Sequence, residues 1–129
     1  MTGVQTCALP ICELARLTQV DYAREIAFIA TEIDPLGNER TLGAARAVID
    51  PDNQDAEFGI IVRSAQKGEG LGALLMDKLI RTLRERGTRR LVATVLTENQ
   101  RMLDLARELG FTLAPPALGD GTRQIWLRL

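Results

Sequence analysis

The segment Lys67-Gly68-Glu69-Gly70-Leu71-Gly72 stands between an apolar run and an amphipathic one. Glycines at 68, 70 and 72 let the backbone pass close to a ligand and turn its amides inward. A helix starting at Leu71 would add its free N-terminal N–H groups and the positive end of its dipole. Together these make a cradle for a pyrophosphate, built from the backbone of Gly68, Gly70, Leu71, Gly72 and Ala73. A plain strand-to-helix turn is the bland alternative, although one glycine would suffice for it. Gly68, Gly70 and Ala73 also spell the dinucleotide pattern GxGxxA. Four or five residues separate the apolar run from Gly68, however, whereas a dinucleotide turn follows its strand at once. No acidic residue closes a second parallel strand about 20 residues on. The mononucleotide pattern GxxxxGK[ST] is absent.

Other residues carry chemical capacity with less definition. Glu57 opens the most apolar stretch of the chain, ten residues before Lys67. Partial burial there would raise its pKa toward the range of a general base; a strand-end carboxylate facing solvent is the alternative. Asn99 suits a helix N-cap and could equally hydrogen-bond a ligand. Arg63 and Lys67 are either charges near phosphate or solvated cations, and Glu69 must point outward to tolerate an anion. Arg81, Arg84, Arg86, Arg89 and Arg90 form a basic stretch, read as a solvated helix end or as a patch for an acidic partner. The chain contains no histidine, which excludes Ser-His-Asp and Cys-His catalysis and most zinc sites. No metal is expected.

The elements needed to position these residues follow from periodicity. Leu14, Leu17 and Val20 share one helical face, predicting a short helix over 13–20. Residues 24–33 and 41–49 read as an antiparallel hairpin about Asp34-Pro35-Leu36-Gly37-Asn38. Residues 56–63 form an apolar run expected of a strand buried on both faces. Leu71, Leu74, Leu75, Leu79 and Leu83 predict a helix to about Arg86, with Gly87 as its cap. Residues 90–96 read as a strand, 99–109 as a second amphipathic helix closed by Gly110, and 111–113 with 124–129 as a terminal strand pair. The order α-β-β-β-α-β-α-β-β predicts an α/β (α+β) fold, a mixed and mainly antiparallel sheet flanked by helices.

The chain has 129 residues, enough for one domain with a real core. Its net charge of −1 argues against nucleic acid and anionic membrane as partners. Cys7 and Cys12 lack a CxxC spacing, and residues 1–12 lack the basic start of a signal peptide, so a reduced cytoplasmic protein is expected. Residues 1–12 show no periodicity. They are set aside as an unassigned tail or spurious extension, leaving 13–129 as the domain.

The loop 67–72, in the pattern Arg/Gln-x-x-Gly-x-Gly/Ala, resembles the pyrophosphate motif of the GNAT superfamily of N-acetyltransferases, with Lys67 replacing Arg or Gln. The segment 98–111 is similar to the same superfamily's Asn-x-x-Ala-x-x-Leu-Tyr-x-x-x-Gly-Phe helix, with Asn99, Leu105, Gly110 and Phe111 matching. The resemblance covers about 13–129 and implies a domain lacking the usual first strand and helix. Segments 17–30 and 56–76 are similar to the acetyltransferase domain of bacterial protein lysine acetyltransferases, which is often fused to an NDP-forming acyl-CoA synthetase-like region.

The resemblance implies acetyl-CoA as co-substrate and an amine, expected to be a protein lysine, as acceptor. It implies that strand 58–63 splays from strand 90–96 to admit the pantetheine arm, with backbone amides near Ile61 and Val62 and the side chain of Asn99 as partners. It implies Glu57 as general base. The tyrosine that many relatives use as general acid is replaced by Ala106, and the only tyrosine, Tyr22, is remote in sequence. Two further readings stand beside the enzyme: a non-catalytic acyl-CoA-sensing module of a larger synthetase-like protein, and a nucleotide-binding oxidoreductase fragment, which the loop spacing disfavours.

Overall fold

The computed structural model describes residues 2–5, 16–63, 70–116, 119 and 121–129. Among these residues eight strands form one sheet: β1 (Thr2–Gln5), β2 (Arg16–Asp21), β3 (Glu25–Ile33), β4 (Glu39–Ile49), β5 (Asp55–Val62), β6 (Arg90–Leu96), β7 (Thr112–Leu113) and β8 (Thr122–Arg128). Their order is β1-β2-β3-β4-β5-β6-β8-β7. All pairs are antiparallel except β5 with β6, which the helix α1 (Leu71–Glu85) connects. Helix α2 (Gln100–Leu109) follows β6. This is the mixed α/β architecture expected.

Side-chain alternation puts both helices on one face. Ala45, Ala47 and Ile49 of β4 are buried, as are their partners Ile26 and Phe28 on β3 and Ala56 and Phe58 on β5. Onto this face α1 sets Leu71, Leu74, Leu75, Met76, Leu79, Ile80 and Leu83, all buried. The predicted leucine stripe is therefore the core seam. Gly43 allows the close approach: a Cβ there would lie 2.9 Å from the Ile61 carbonyl oxygen and 3.2 Å from Leu71. A β-bulge between Ala30 and Thr31 gives β4 one extra residue, Leu42, which is also buried.

Two readings from sequence change. Residues 16–20 of the predicted 13–20 helix belong instead to β2, which pairs with β3 from Arg16↔Thr31 to Asp21↔Ile26; Leu14 lies outside the described residues. Eight residues are too few to tell a period of 3.6 from one of 2, and an isolated helix so short is marginal. Thr18 and Val20 favour a strand, and the free edge of β3 supplies the hydrogen bonds. Second, β5 is buried on one face only. Glu57, Gly59 and Ile61 face away from the helices, with Ile61 76% exposed. Within the segment set aside as a tail, Thr2–Gln5 pair with β2 as the outermost strand. The terminal strands are antiparallel as expected, with β8 lying between β6 and β7. No helix among the described residues is long and apolar enough to cross a membrane.

Candidate functional site

The β5–β6 pairing is short. It runs from Asp55↔Arg90 through Ala56↔Leu91 to Glu57↔Val92 and stops, although both strands continue. Beyond that point they diverge, as the expected splay requires. Phe58 and Phe111, with ring centroids 5.6 Å apart and tilted by 57°, pack on the helix side of the fork. Backbone groups of β5 on this side have no ladder partner. Arg63 donates its N–H to Leu42 O at 2.9 Å. Alternate residues of a strand point their amides the same way. The amides of Arg63, Ile61 and Gly59 therefore face β4, and those of Val62 and Ile60, beyond the last β5–β6 pair, face the opening. Of the two residues named from sequence, Val62 turns its N–H to the gap, while Ile61 uses its own in the ladder.

A groove of about 650 Å³ opens here, within the range of small-molecule sites. Ile60, Ile61 and Val62 form one wall, Gly70, Leu71, Gly72 and Ala73 the second, and Asn99, Met102 and Leu105 of α2 the third. The structure thus gathers Ile61, Val62, Gly70, Leu71, Gly72, Ala73 and Asn99 around one space. Lys67 and Gly68, with Glu69, lie outside the described residues.

The N-terminus of α1 suits an anion. Gly70 holds the N-cap position at φ 82, a left-handed conformation that favours glycine, and no side chain among the described residues caps the helix. Its first intrahelical bond is Leu74 N–H to Gly70 O, 3.0 Å, so the N–H groups of Leu71, Gly72 and Ala73 have no acceptor within the helix. The first turn carries no acidic residue. These features fit a pyrophosphate, and the apolar walls fit a pantetheine arm. Asp104 and Glu108 also line the groove, but Asp104 is engaged by Gln100 and Arg107 at 2.9 and 3.0 Å.

Asn99 caps α2: its Oδ1 accepts the Met102 N–H at 3.2 Å. Its side-chain amide nitrogen has no partner among the described residues, so the cap leaves a donor beside the groove. Ala106, at the position of the superfamily's tyrosine, is fully buried.

Glu57 stands on the opposite face of the sheet, at the last β5–β6 pair. It is exposed, where the sequence suggested partial burial; no described element covers this face of β5. It lines a second concavity, about 770 Å³, with Tyr22, Glu25, Val48, Asp50 and Val92. Sequence reasoning missed Tyr22 here. Thirty-five residues separate it from Glu57, and only the pairing of β3, β4 and β5 brings the β2–β3 turn to this end of the sheet. Arg86, at the end of α1, secures that turn by donating to Tyr22 O at 3.1 Å and pairing with Asp21 at 3.4 Å.

With the forked strands, the uncapped glycine N-terminus and the groove between them, the molecule has the form of an acyl-CoA-dependent transferase. The family model described as the Acetyltransferase (GNAT) family matches residues 8–111, well over half of the chain, and the chain belongs to that family. Members of the family use acetyl-CoA as co-substrate. Among curated proteins it is similar to a histone acetyltransferase, TAP1, of Glycine max, 34% identical over 84 residues, covering 64% of this chain and 35% of that protein. The chain thus spans about a third of the length of this relative. Among solved structures it is similar to the GNAT domain of S. lividans PAT, with a TM-score of 0.69, 24% identity, and coverage of 85% of this chain and 64% of that one. It is also similar to a cAMP-binding acyltransferase from Mycobacterium smegmatis, with a TM-score of 0.77, 22% identity, and coverage of 98% and 47%. At these identities the structural likeness speaks for the fold.

Proposed function

We propose that this chain transfers an acetyl group from acetyl-CoA to an amine, with a protein lysine as the acceptor and Glu57 as the general base. The observation that carries this reading is the parting of β5 from β6 after Glu57↔Val92. In this reading the thioester reaches through that fork from the groove at the α1 N-terminus toward the concavity around Glu57. In this reading the pyrophosphate rests on the N–H groups of Leu71, Gly72 and Ala73, joined by the loop at Lys67 and Gly68. The thioester arm runs along β5, hydrogen-bonded to gap-facing amides at Val62 and Ile60 and to the side chain of Asn99. Such amides also stabilise charge developing on the thioester oxygen.

The acceptor approaches from the other face. Glu25, Asp50, Asp55 and Glu57 line that pocket against Arg24, an excess of negative charge that suits a cationic lysine over a neutral amine. Glu57 removes one ammonium proton. The nitrogen then attacks the carbonyl carbon, the C–N bond forms as the C–S bond breaks, and coenzyme A leaves as its thiol once a proton returns to sulfur. A docked acceptor would cover Glu57 and supply the burial a base needs.

Glu57→Gln tests this. Acetyl-CoA affinity measured by calorimetry should be unchanged, while kcat on lysine peptides should fall by about 10²–10⁴. Unchanged turnover would remove Glu57 from the role, and failure to bind acetyl-CoA would remove the reading itself. The buried Ala106 favours a second reading, an acyl-CoA sensor without catalysis. Release of free thiol that depends on a lysine peptide separates the two.

A further inference from the structure

Arginines gather where α1 ends, away from the groove at its N-terminus. Arg84 from the last turn of α1, Arg89 just before β6, Arg90 in β6 and Arg128 in β8 line a concavity of about 510 Å³. The register explains the crowding. Arg90 lies directly opposite Arg128 across the β6–β8 ladder, and Asp55 lies beside Arg90 across β5–β6. Like charges opposed on a ladder repel.

Asp55 answers one of them only. Nε and Nη2 of Arg90 each donate to its carboxylate at 2.9 Å. Those hydrogen bonds hold the Asp55 carboxyl below the usual carboxylate range and raise Arg90. Arg84, Arg89 and Arg128 have no carboxylate partner among the described residues. The dipole of α1 accounts for a cation in its last turn, hence for Arg84. It does not account for Arg128, on a strand beyond β6.

The arginine groove adjoins the acceptor pocket, since Asp55 lines both. Arg128 lies two strands from β5, and Glu57 two residues along β5 from Asp55. At a strand spacing of about 4.8 Å, the backbone at Arg128 is roughly 12 Å from that at Glu57. An extended peptide covers that in three or four residues of about 3.3 Å each.

We propose that this groove binds an acidic segment of the acceptor protein, three or four residues from the lysine offered to Glu57; the proposal rests on the acetyltransferase reading above. A nucleic acid is the poorer fit. No aromatic side chain among the described residues lines the groove for base stacking, and the net charge of the chain is −1.

Two measurements on the full chain test it. The first omits acyl-CoA and follows the fluorescence anisotropy of a labelled peptide carrying a run of glutamates. Binding should weaken with added salt and should be about tenfold weaker in the double variant Arg89→Ala/Arg128→Ala. Acetyl-CoA affinity of the double variant, measured by calorimetry, reports its fold. The second compares kcat/KM for lysine peptides with glutamate or glutamine at the third and fourth positions from the lysine. The unaltered chain should favour glutamate by about tenfold, and the double variant should lose that preference. Equal anisotropy for the two proteins, equal rates for the two peptides, or tighter binding of a single-stranded oligonucleotide would each overturn the proposal. If no lysine peptide is acetylated, the activity reading fails and the named acceptor with it; the anisotropy arm tells that failure apart from failure of the groove.

Discussion

Asn99 has the geometry for two duties at once, a helix cap and the proposed contact with the ligand. Its carboxamide oxygen is spent on the Met102 N–H, and its nitrogen is left beside the groove. The duties separate by substitution. Asn99→Ala should cost about 1 kcal/mol of stability through loss of the cap, read from the denaturant midpoint. Asn99→Asp keeps a capping oxygen but removes the donor. Its stability should match that of the unaltered chain within a few tenths of a kcal/mol, while its KM for acetyl-CoA should rise. An unchanged KM in Asn99→Asp would make Asn99 a cap alone. Both roles were open from the residue type at the start of an amphipathic run. The position of the free nitrogen depends on how α2 docks, which residue type does not specify.

Among the elements, α1 does most to shape the site, and its own sequence made it readable. Seven buried side chains at helical spacing set its face. Gly70 and Gly72 mark its start, and Gly87 follows its end. Gly72 faces the groove: a Cβ there would sit 3.5 Å from Leu105 and 3.8 Å from Ile60 and Val62. Alanine fits those distances, but the branched methyls of valine would enter the space assigned to the ligand. Gly72→Val should therefore melt at or above the temperature of the unaltered chain, since valine is the better helix former by a few tenths of a kcal/mol. It should lose roughly tenfold or more in acetyl-CoA affinity, from about 1–3 kcal/mol of overpacking in the complex. Thermal melts and calorimetry check the two halves. Unaltered affinity would move the ligand elsewhere. The opposite case is β2. Its eight-residue window carried Leu17 at a position compatible with helix or strand, and its partner β3 decided between them.

At the scale of the molecule, the proposed function puts cofactor and acceptor on opposite faces of the sheet. Helices, groove and glycine turn occupy one face, and Glu57, Tyr22 and the acidic pocket occupy the other. Arg86 links the two sides. From the end of α1 it reaches the β2–β3 turn, 64 residues away, through Tyr22 O and Asp21. Arg86→Ala should cost about 1–2 kcal/mol, since hydrogen bonds to a charged group are lost at a partly buried place. By loosening the Tyr22 turn it should also lower kcat/KM for a lysine peptide while acetyl-CoA affinity holds. Chemical denaturation and steady-state kinetics read the two effects. A fall in acetyl-CoA affinity instead would place the damage in α1.

Local sequence alone determined the two helices, the β3–β4 hairpin, the glycine-marked start of α1 and the family motifs at 67–72 and 98–111. Periodicity, caps and turn residues act over a few neighbours and are written in consecutive letters. Only the tertiary structure decided that residues 16–21 are a strand, that β5 is covered on one face, and that Val62 rather than Ile61 turns its amide to the gap. It alone brought Tyr22 to Glu57 and set Arg128 opposite Arg90. Those outcomes depend on sheet order and register, which are set by matching the hydrophobic patterns of strands far apart in the chain, so no single local window contains them.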